Sequence, residues 1–367
     1  MPKQSSLAKL TQPRLFGVAG RVRLHAQLDK ERASHPVVWI VGPPGAGKTT
    51  LVASYLDARE LPVIWYQVDS GDSDLATFFY YMGLAGRAAA KRKRLILPLL
   101  TPEYLSDLPG FTRRFFRNLF STVSEPPILV LDNYQEVIPG SVFHTVIDVV
   151  ISELPLGYSL IAISRTDPPP QLARALANNL IGQINWNDLR LTLEETKAIV
   201  ATTGLLEFTE ETLTLLQEQT NGWIAGLVLM MERFKETGAI NHTYQSETMG
   251  TVFNYFTGQV FEQLSEEMRE FLMRTAILSH MTIRTAAEMG KSPKAREWLN
   301  YLYRRKLFTD RRIGDDEISY QYHALFREFL LDRASIYFTL AELKEIRKLG
   351  ACLAEQSGEI MAAAGLL

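Results

Sequence analysis

The sequence predicts an α/β chain. A parallel sheet with helices on both faces is followed by a small helical domain and a winged-helix domain. Three observations carry that prediction. A complete phosphate-loop motif, Gly42-Pro43-Pro44-Gly45-Ala46-Gly47-Lys48-Thr49-Thr50, stands between a β-branched run and a helical pattern. Strand and helix signals alternate over residues 36–190. Beyond them the pattern turns helical, then shows two alternating runs around a Gly/Asp turn, with a further helix behind.

With 367 residues, 46% of them hydrophobic, the chain has ample material for several domains and a sizeable core. A net charge of −2 gives no global electrostatic argument for nucleic acid. The single cysteine, Cys352, excludes an intrachain disulfide and a multi-cysteine metal site, and reads as a small core residue. No apolar run reaches 18 residues, so no transmembrane helix and no membrane partner are expected. The first six residues, Met1-Pro2-Lys3-Gln4-Ser5-Ser6, lack a signal-peptide apolar region, which points to the cytoplasm.

The elements follow in order. Residues 1–35 are a lead-in, with Leu10-Thr11-Gln12-Pro13-Arg14 extended and a short amphipathic helix over 22–31 whose Leu24 and Leu28 share a face. Val37-Val38-Trp39-Ile40-Val41 is the strand before the phosphate loop. The glycines let the backbone curl so that its N–H groups point at phosphate oxygens, and the helix that follows adds its positive N-terminus. Lys48 would reach the β- and γ-phosphates of a nucleotide, and Thr49 would place its hydroxyl on Mg²⁺. Pro62 to Val68 reads as a second buried strand, ending in a polar turn (residues 69–74) able to cap a helix from Leu75 to about Ala89. Phe78, Phe79, Tyr80 and Tyr81 on that helix read as core or groove residues. Lys91-Arg92-Lys93-Arg94 reads as a solvated loop in preference to a nucleic-acid patch.

A helix over about 110–123 leads to Ile128-Leu129-Val130-Leu131-Asp132, a buried strand ending in the carboxylate that orients Mg²⁺ or its water in P-loop enzymes. The next residue is Asn133 where such enzymes often carry a carboxylate. An amide takes up no proton, so hydrolysis is expected to be slow. Glu136 is a nearby substitute or simply a solvated residue. A fourth strand over 158–164 ends in Arg165, which is either a γ-phosphate sensor or a surface cation at a strand end. A fifth strand is placed at 180–185 after the breaker Asp167-Pro168-Pro169-Pro170. The phosphate loop, Asp132 and Arg165 all fall at strand carboxyl ends, where open α/β sheets bind ligands. The first domain is therefore a P-loop NTPase sheet, AAA-like, over 36–187.

From Asp188 the chain turns helical, with a capping box from Thr192 to Glu195, a second helix start at Thr209, and a break at Asn221-Gly222-Trp223. That unit is placed at 188–248 and a winged helix at 249–335, the latter ending in a hairpin, His323 and a helix. Residues 336–367 read as the start of a helical arm or sensor region.

This layout resembles the nucleotide-binding and arm region of a STAND ATPase (signal transduction ATPase with numerous domains). It is most similar to the maltose-regulon activator and the large ATP-dependent LuxR-type regulators. The residues carrying the resemblance are 10–14, Gly20-Arg21, the phosphate loop, 65–69 with Asp72, Leu131-Asp132-Asn133-Tyr134, 164–168, Leu189-Arg190-Leu191, 222–227, 271–278 and Tyr322-His323-Ala324-Leu325-Phe326. The resemblance implies a resting state closed around ADP. An inducer on a distal C-terminal sensor, together with ATP, then opens the protein and drives self-association. It implies that Val18, Gly20 and Arg21 lie near adenine and ribose, that the Gly222 segment with Ile224 closes over the base, and that His323 contacts the ADP β-phosphate. Read from its residues alone, His323 behind a buried strand is a satisfied structural histidine. The family's sensor repeats and C-terminal helix-turn-helix have no counterpart in these residues, so DNA contact would need a further effector domain. Two other readings stand beside the switch: an AAA-type turnover ATPase or remodeller, and a nucleic-acid-binding module using the winged helix, whose Arg296, Arg304, Arg305 and Lys306 form a charged face.

Overall fold

The computed structural model describes residues 8–15, 17–90, 97–123, 126–202, 208–237, 256–257, 260–278, 280–305, 307–313 and 318–356. The chain forms two compact units, 1–42 with 47–189, and 43–46 with 190–367.

The first unit is built on five parallel strands: β1 (Val37–Val41), β2 (Val63–Gln67), β3 (Ile128–Asp132), β4 (Ser159–Ser164) and β5 (Ile181–Ile184), in the order β2-β3-β4-β1-β5. β1, β3 and β4 are buried at every position, as strands covered on both faces must be. The helices are α1 (Val22–Ser34), α2 (Lys48–Ala58), α3 (Leu75–Ala89), α4 (Leu108–Thr122), α5 (Val142–Ser152), α6 (Ala173–Ala177) and α7 (Trp186–Leu189). Leu24 and Leu28 of α1 are fully buried, as their spacing predicts. Val37, Trp39 and Val41 point into a core shared with Phe78, Phe79, Phe111, Phe115, Phe116 and Phe143. Edge-to-face contacts such as Phe79–Phe111 at 4.9 Å between centroids are the arrangement ring quadrupoles favour. The aromatic run of α3 divides: Phe78 and Phe79 are core, Tyr81 is partly buried against it and Tyr80 is half exposed. Asp74 caps α3 by accepting from the backbone N–H groups of Ala76 and Thr77.

The lead-in is anchored by a charge that its sequence did not advertise. Lys9 Nζ pairs with Asp69 at 2.7 Å and with the fully buried Asp72 at 2.9 Å. Tyr66 Oη donates to Asp72 at 2.6 Å, so the buried carboxylate is satisfied.

In the second unit, α8 (Leu193–Thr202), α9 (Glu210–Thr220) and α10 (Ile224–Thr237) enclose a small core of Leu191, Val200, Leu213, Leu216, Leu227 and Met231. The capping box is formed: Glu195 N–H donates to Thr192 Oγ1 at 3.2 Å, and Thr192 N–H donates to Glu195 Oε2 at 3.0 Å. The winged helix comprises α11 (Glu266–Thr275), β6 (Met281–Thr282), α12 (Ile283–Met289), α13 (Ala295–Arg304), β7 (Thr309–Ile313), β8 (Ile318–Tyr322) and α14 (Ala324–Tyr337). Its antiparallel sheet runs β6-β8-β7. The hairpin strands match the two alternating runs, while the Gly314-Asp315-Asp316 turn between them lies outside the described residues, as does the Lys91–Arg94 cluster.

One expectation is corrected. Cys352, read as a core residue, is exposed on α15 (Leu340–Gln356). Ile346, Ala351, Leu353 and Ala354 form the buried face of that helix, and position 352 falls outside it.

Candidate functional site

The first unit assembles one constellation at the carboxyl ends of its strands. β1 and β4 pair in parallel as far as Val41 and Ser164, and Gly42 N–H donates to Ser164 O at 3.3 Å. That register sets the start of the phosphate loop beside Arg165. Gly47 sits at φ 75° before α2, a left-handed conformation glycine adopts without cost. Lys48 opens the helix, is nine-tenths buried, and donates from Nζ to Gly42 O at 2.7 Å. Burial, with the Arg165 charge adding to it, lowers the Lys48 ammonium to about 7, against the opposing pull of Asp132. A site that destabilises its own cation in this way gains when anionic oxygens arrive.

Thr49 Oγ1 donates to Asp132 Oδ1 at 3.1 Å. Asp132 is nearly fully buried, and burial raises its carboxyl above the usual range despite hydrogen bonds from Thr49 and from Asn133 N–H and the nearby Lys48 charge. A hydroxyl and a buried carboxylate in contact are hard oxygen donors, and they fit Mg²⁺, which takes one or two protein ligands and keeps the rest for water and phosphate. Thr50 is half buried on the next position of the helix.

Asn133 occupies φ 61°, ψ 37°. That left-handed position favours asparagine, a sufficient backbone reason for an amide there. The 3₁₀ turn that follows, Tyr134–Glu136, leaves Glu136 exposed and buries Gln135. Of the lead-in residues, Val18 and Gly20 are exposed, and the ideal Cβ of Gly20 meets nothing within 4 Å. Arg21 is buried and donates from Nη2 to Leu189 O at 2.9 Å.

The remaining sequence-predicted residues belong to the second unit. Pro43, Pro44, Gly45 and Ala46, the crest of the phosphate loop, group with it. Trp223, fully buried, donates from Nε1 to Pro44 O at 3.0 Å, and Ala225 N–H donates to Gly45 O at 3.1 Å. Gly222 lies at φ 72° and its carbonyl accepts from Leu191 N–H at 2.9 Å. Ile224 is half buried at the start of α10. His323 is buried, with Nε2 2.9 Å from Thr220 O. A carbonyl only accepts, so Nε2 carries the proton. This bond gives His323 a structural role.

The structure brings Lys48, Thr49 and Asp132, singled out in the sequence, together at the strand ends with Arg165. Gln135 and the indole N–H bond of Trp223 were not anticipated: Gln135 stands in no motif, and the 222–227 segment does not say what its indole meets. The Trp223–Pro44 bond spans 179 residues and is visible only once the chain is folded.

A family model described as the MalT winged helix domain matches residues 257–340. The HTH-type transcriptional regulator MalT of Serratia proteamaculans is 25% identical over 332 residues, covering 89% of this chain and 36% of that protein. The MalT of Vibrio campbellii is 24% identical over 340 residues, covering 88% of this chain and again 36% of the relative. The chain thus spans little more than a third of the length of these curated relatives. Among solved structures, a Walker-type ATPase of Pyrococcus abyssi superposes with a TM-score of 0.58 at 15% identity, over 85% of this chain and 96% of that one. That likeness establishes the fold. Among the described residues, no helix is long and apolar enough to cross a membrane.

Proposed function

We propose that this chain, a MalT-like STAND ATPase, is the core of an ATP/ADP-dependent signal-transduction switch. In this reading it rests with ADP bound, takes up ATP when a distal sensor is triggered, and then self-associates. The observation that carries the reading is the contact between Thr49 and Asp132, with Lys48 beside them under the field of Arg165. Two segments far apart in sequence meet there and would supply the phosphate and Mg²⁺ ligands of one site. Mg²⁺ would there offset phosphate charge, held by the Thr49 hydroxyl and the Asp132 carboxylate.

Lys48 and the backbone N–H groups of the non-proline residues among Gly42 to Thr50 would hold the phosphates. Arg165 would sense the γ-phosphate. Val18, Gly20 and Arg21 are assigned to the adenosine side, and Gly222, Ile224 and His323 to holding the resting state, on the strength of the MalT-like sequence. Asn133 offers no carboxylate, which supports slow hydrolysis and a switch in place of a turnover machine. Transcriptional output is carried over from the MalT relatives, which are named transcriptional regulators; an inducer on a distal sensor, a cytoplasmic location and DNA contact through a further effector domain follow from the STAND resemblance.

The test is to purify the protein, denature it and identify released nucleotide by chromatography. Near-stoichiometric ADP is expected. A nucleotide-free protein hydrolysing ATP at several per second, near the median scale of about 10 per second for enzymes, would overturn the switch.

A further inference from the structure

Gln135 sits where the β3–β4 ladder stops. The two strands pair in register from Ile128 with Ser159 to Leu131 with Ala162. Beyond the last pair, the Gln135 side chain crosses from one strand end to the other. Its Oε1 accepts from Arg165 N–H at 3.1 Å. Its Nε2 lies 3.4 Å from Asn133 Oδ1 and 3.3 Å from Glu136 Oε1. The orientation of this amide follows from its partners: a backbone N–H only donates, so the oxygen must face Arg165, and the nitrogen then faces two acceptors. The residue is 8% exposed, so these contacts are made with little competition from water.

The turn it grips is itself tied to the Mg²⁺ ligand. Asn133 N–H donates to Asp132 Oδ1 at 2.9 Å, and the same oxygen accepts from Thr49 at 3.1 Å. One connected path therefore runs from Thr49 through Asp132, Asn133 and Gln135 to the backbone of Arg165.

We propose that Gln135 is the positioning residue for γ-phosphate discrimination: its amide fixes the Arg165 backbone to the Asp132–Glu136 turn, so that ATP, and not ADP, is read through both. This rests on the nucleotide-switch reading above. A diphosphate needs the phosphate loop and Mg²⁺, which Gln135 does not touch. A triphosphate also needs the guanidinium at the tip of β4 and the polar groups after β3 held in fixed relation. Gln135 holds that relation by three contacts from one amide. It also holds the Glu136 carboxylate, the acid that follows Asn133 in this turn, 3.3 Å from its nitrogen.

The test uses Gln135→Met, which keeps the buried volume and removes both ends of the amide, and Gln135→Glu, which keeps the acceptor for Arg165 N–H and sets a second carboxylate against Glu136. Affinities for ADP and for a non-hydrolysable ATP analogue with Mg²⁺ are measured by calorimetry on the full chain. For Gln135→Met, ADP affinity should stay within about twofold of wild type, while the analogue-to-ADP affinity ratio falls about tenfold, the scale of one hydrogen bond to a charged group. In an Arg165→Ala background the same substitution should lower the ratio by clearly less, because only the turn is then left to be displaced. Gln135→Glu, if the methionine variant does not fold, should also lower the ratio, in its case by moving the turn and not Arg165. An unchanged ratio, or an equal loss for both nucleotides, would overturn the proposal. Failure of wild type to bind either nucleotide, or unimpaired binding by Lys48→Ala, would instead overturn the switch reading and this proposal with it.

Discussion

Thr49 Oγ1 donates a hydrogen bond to Asp132 Oδ1 at 3.1 Å, across 83 residues of sequence. The two oxygens that the motifs assign to one Mg²⁺ are therefore neighbours in the fold. Asp132→Asn keeps the size and the acceptor for Thr49 and removes the charge. Mg²⁺-dependent strengthening of ATP binding should fall by about tenfold or more, while Mg²⁺-free ADP binding stays close to wild type. Calorimetry with and without Mg²⁺ reads the difference, and an Asn variant with full Mg²⁺ dependence would remove Asp132 from the site.

Lys48 gives the nucleotide affinity a pH dependence with a defined sign. Burial holds its ammonium at about 7 in the free protein, and bound phosphate would raise it. Above pH 7 the free site holds a neutral amine, so binding takes up a proton. ADP affinity should then fall as pH rises from about 7.5 to 9, by at most about tenfold per unit, and flatten below 7. Lys48→Arg, which stays charged, should lose the slope. A slope that persists in that variant would assign the titration to another group.

Gly222 is held to glycine by its backbone. At φ 72° a side chain is strained, and an added Cβ would lie 2.8 Å from Leu191 N and 2.9 Å from Leu191 O. Gly222→Ala should cost at least about 2 kcal/mol, from the left-handed conformation and the forced shift of the Leu191 backbone. Thermal unfolding of the second unit should move down by about 4 °C or more. Melting within a degree of wild type would mean that the segment relaxes freely.

His323 separates two roles by two measurements. Its Nε2 proton is donated to Thr220 O at 2.9 Å, a carbonyl that also accepts from Trp223 N–H at 2.8 Å, so His323→Ala removes one of two donors and should cost about 1 kcal/mol of stability. The proposed contact with ADP adds a second effect, faster ADP release by about tenfold, read by displacement of a fluorescent analogue. Lost stability with unchanged release would leave His323 a structural residue.

The legible parts of the molecule share a physical origin. The phosphate loop, its flanking strand and helix, and the buried strands that lead to Asp132 and Arg165 each depend on a few consecutive residues. Backbone curl, β-branching and burial on both faces leave their mark within such short windows. Strand β6 did not, because two residues carry no alternation, and Met281–Thr282 becomes a strand only by pairing with β8. The Lys9–Asp72 pair was equally silent, since a lysine in a polar lead-in resembles any solvated cation. Cys352 was misread for a related reason: residue type alone does not say which face of a helix meets the core.

By itself the sequence determined an α/β unit with a phosphate-loop motif at its strand ends, then helices, then a winged helix, because local propensity and periodicity specify elements and their order. Only the tertiary structure decided which distant groups meet. The order β2-β3-β4-β1-β5 sets β4 between the strands carrying Asp132 and the phosphate loop, and so brings Arg165 beside Lys48. The same packing turned Gln135 toward Arg165 and Trp223 toward Pro44. Such hydrogen bonds depend on a few tenths of an ångström across long loops, and no short window of sequence encodes a distance between segments that meet only on folding.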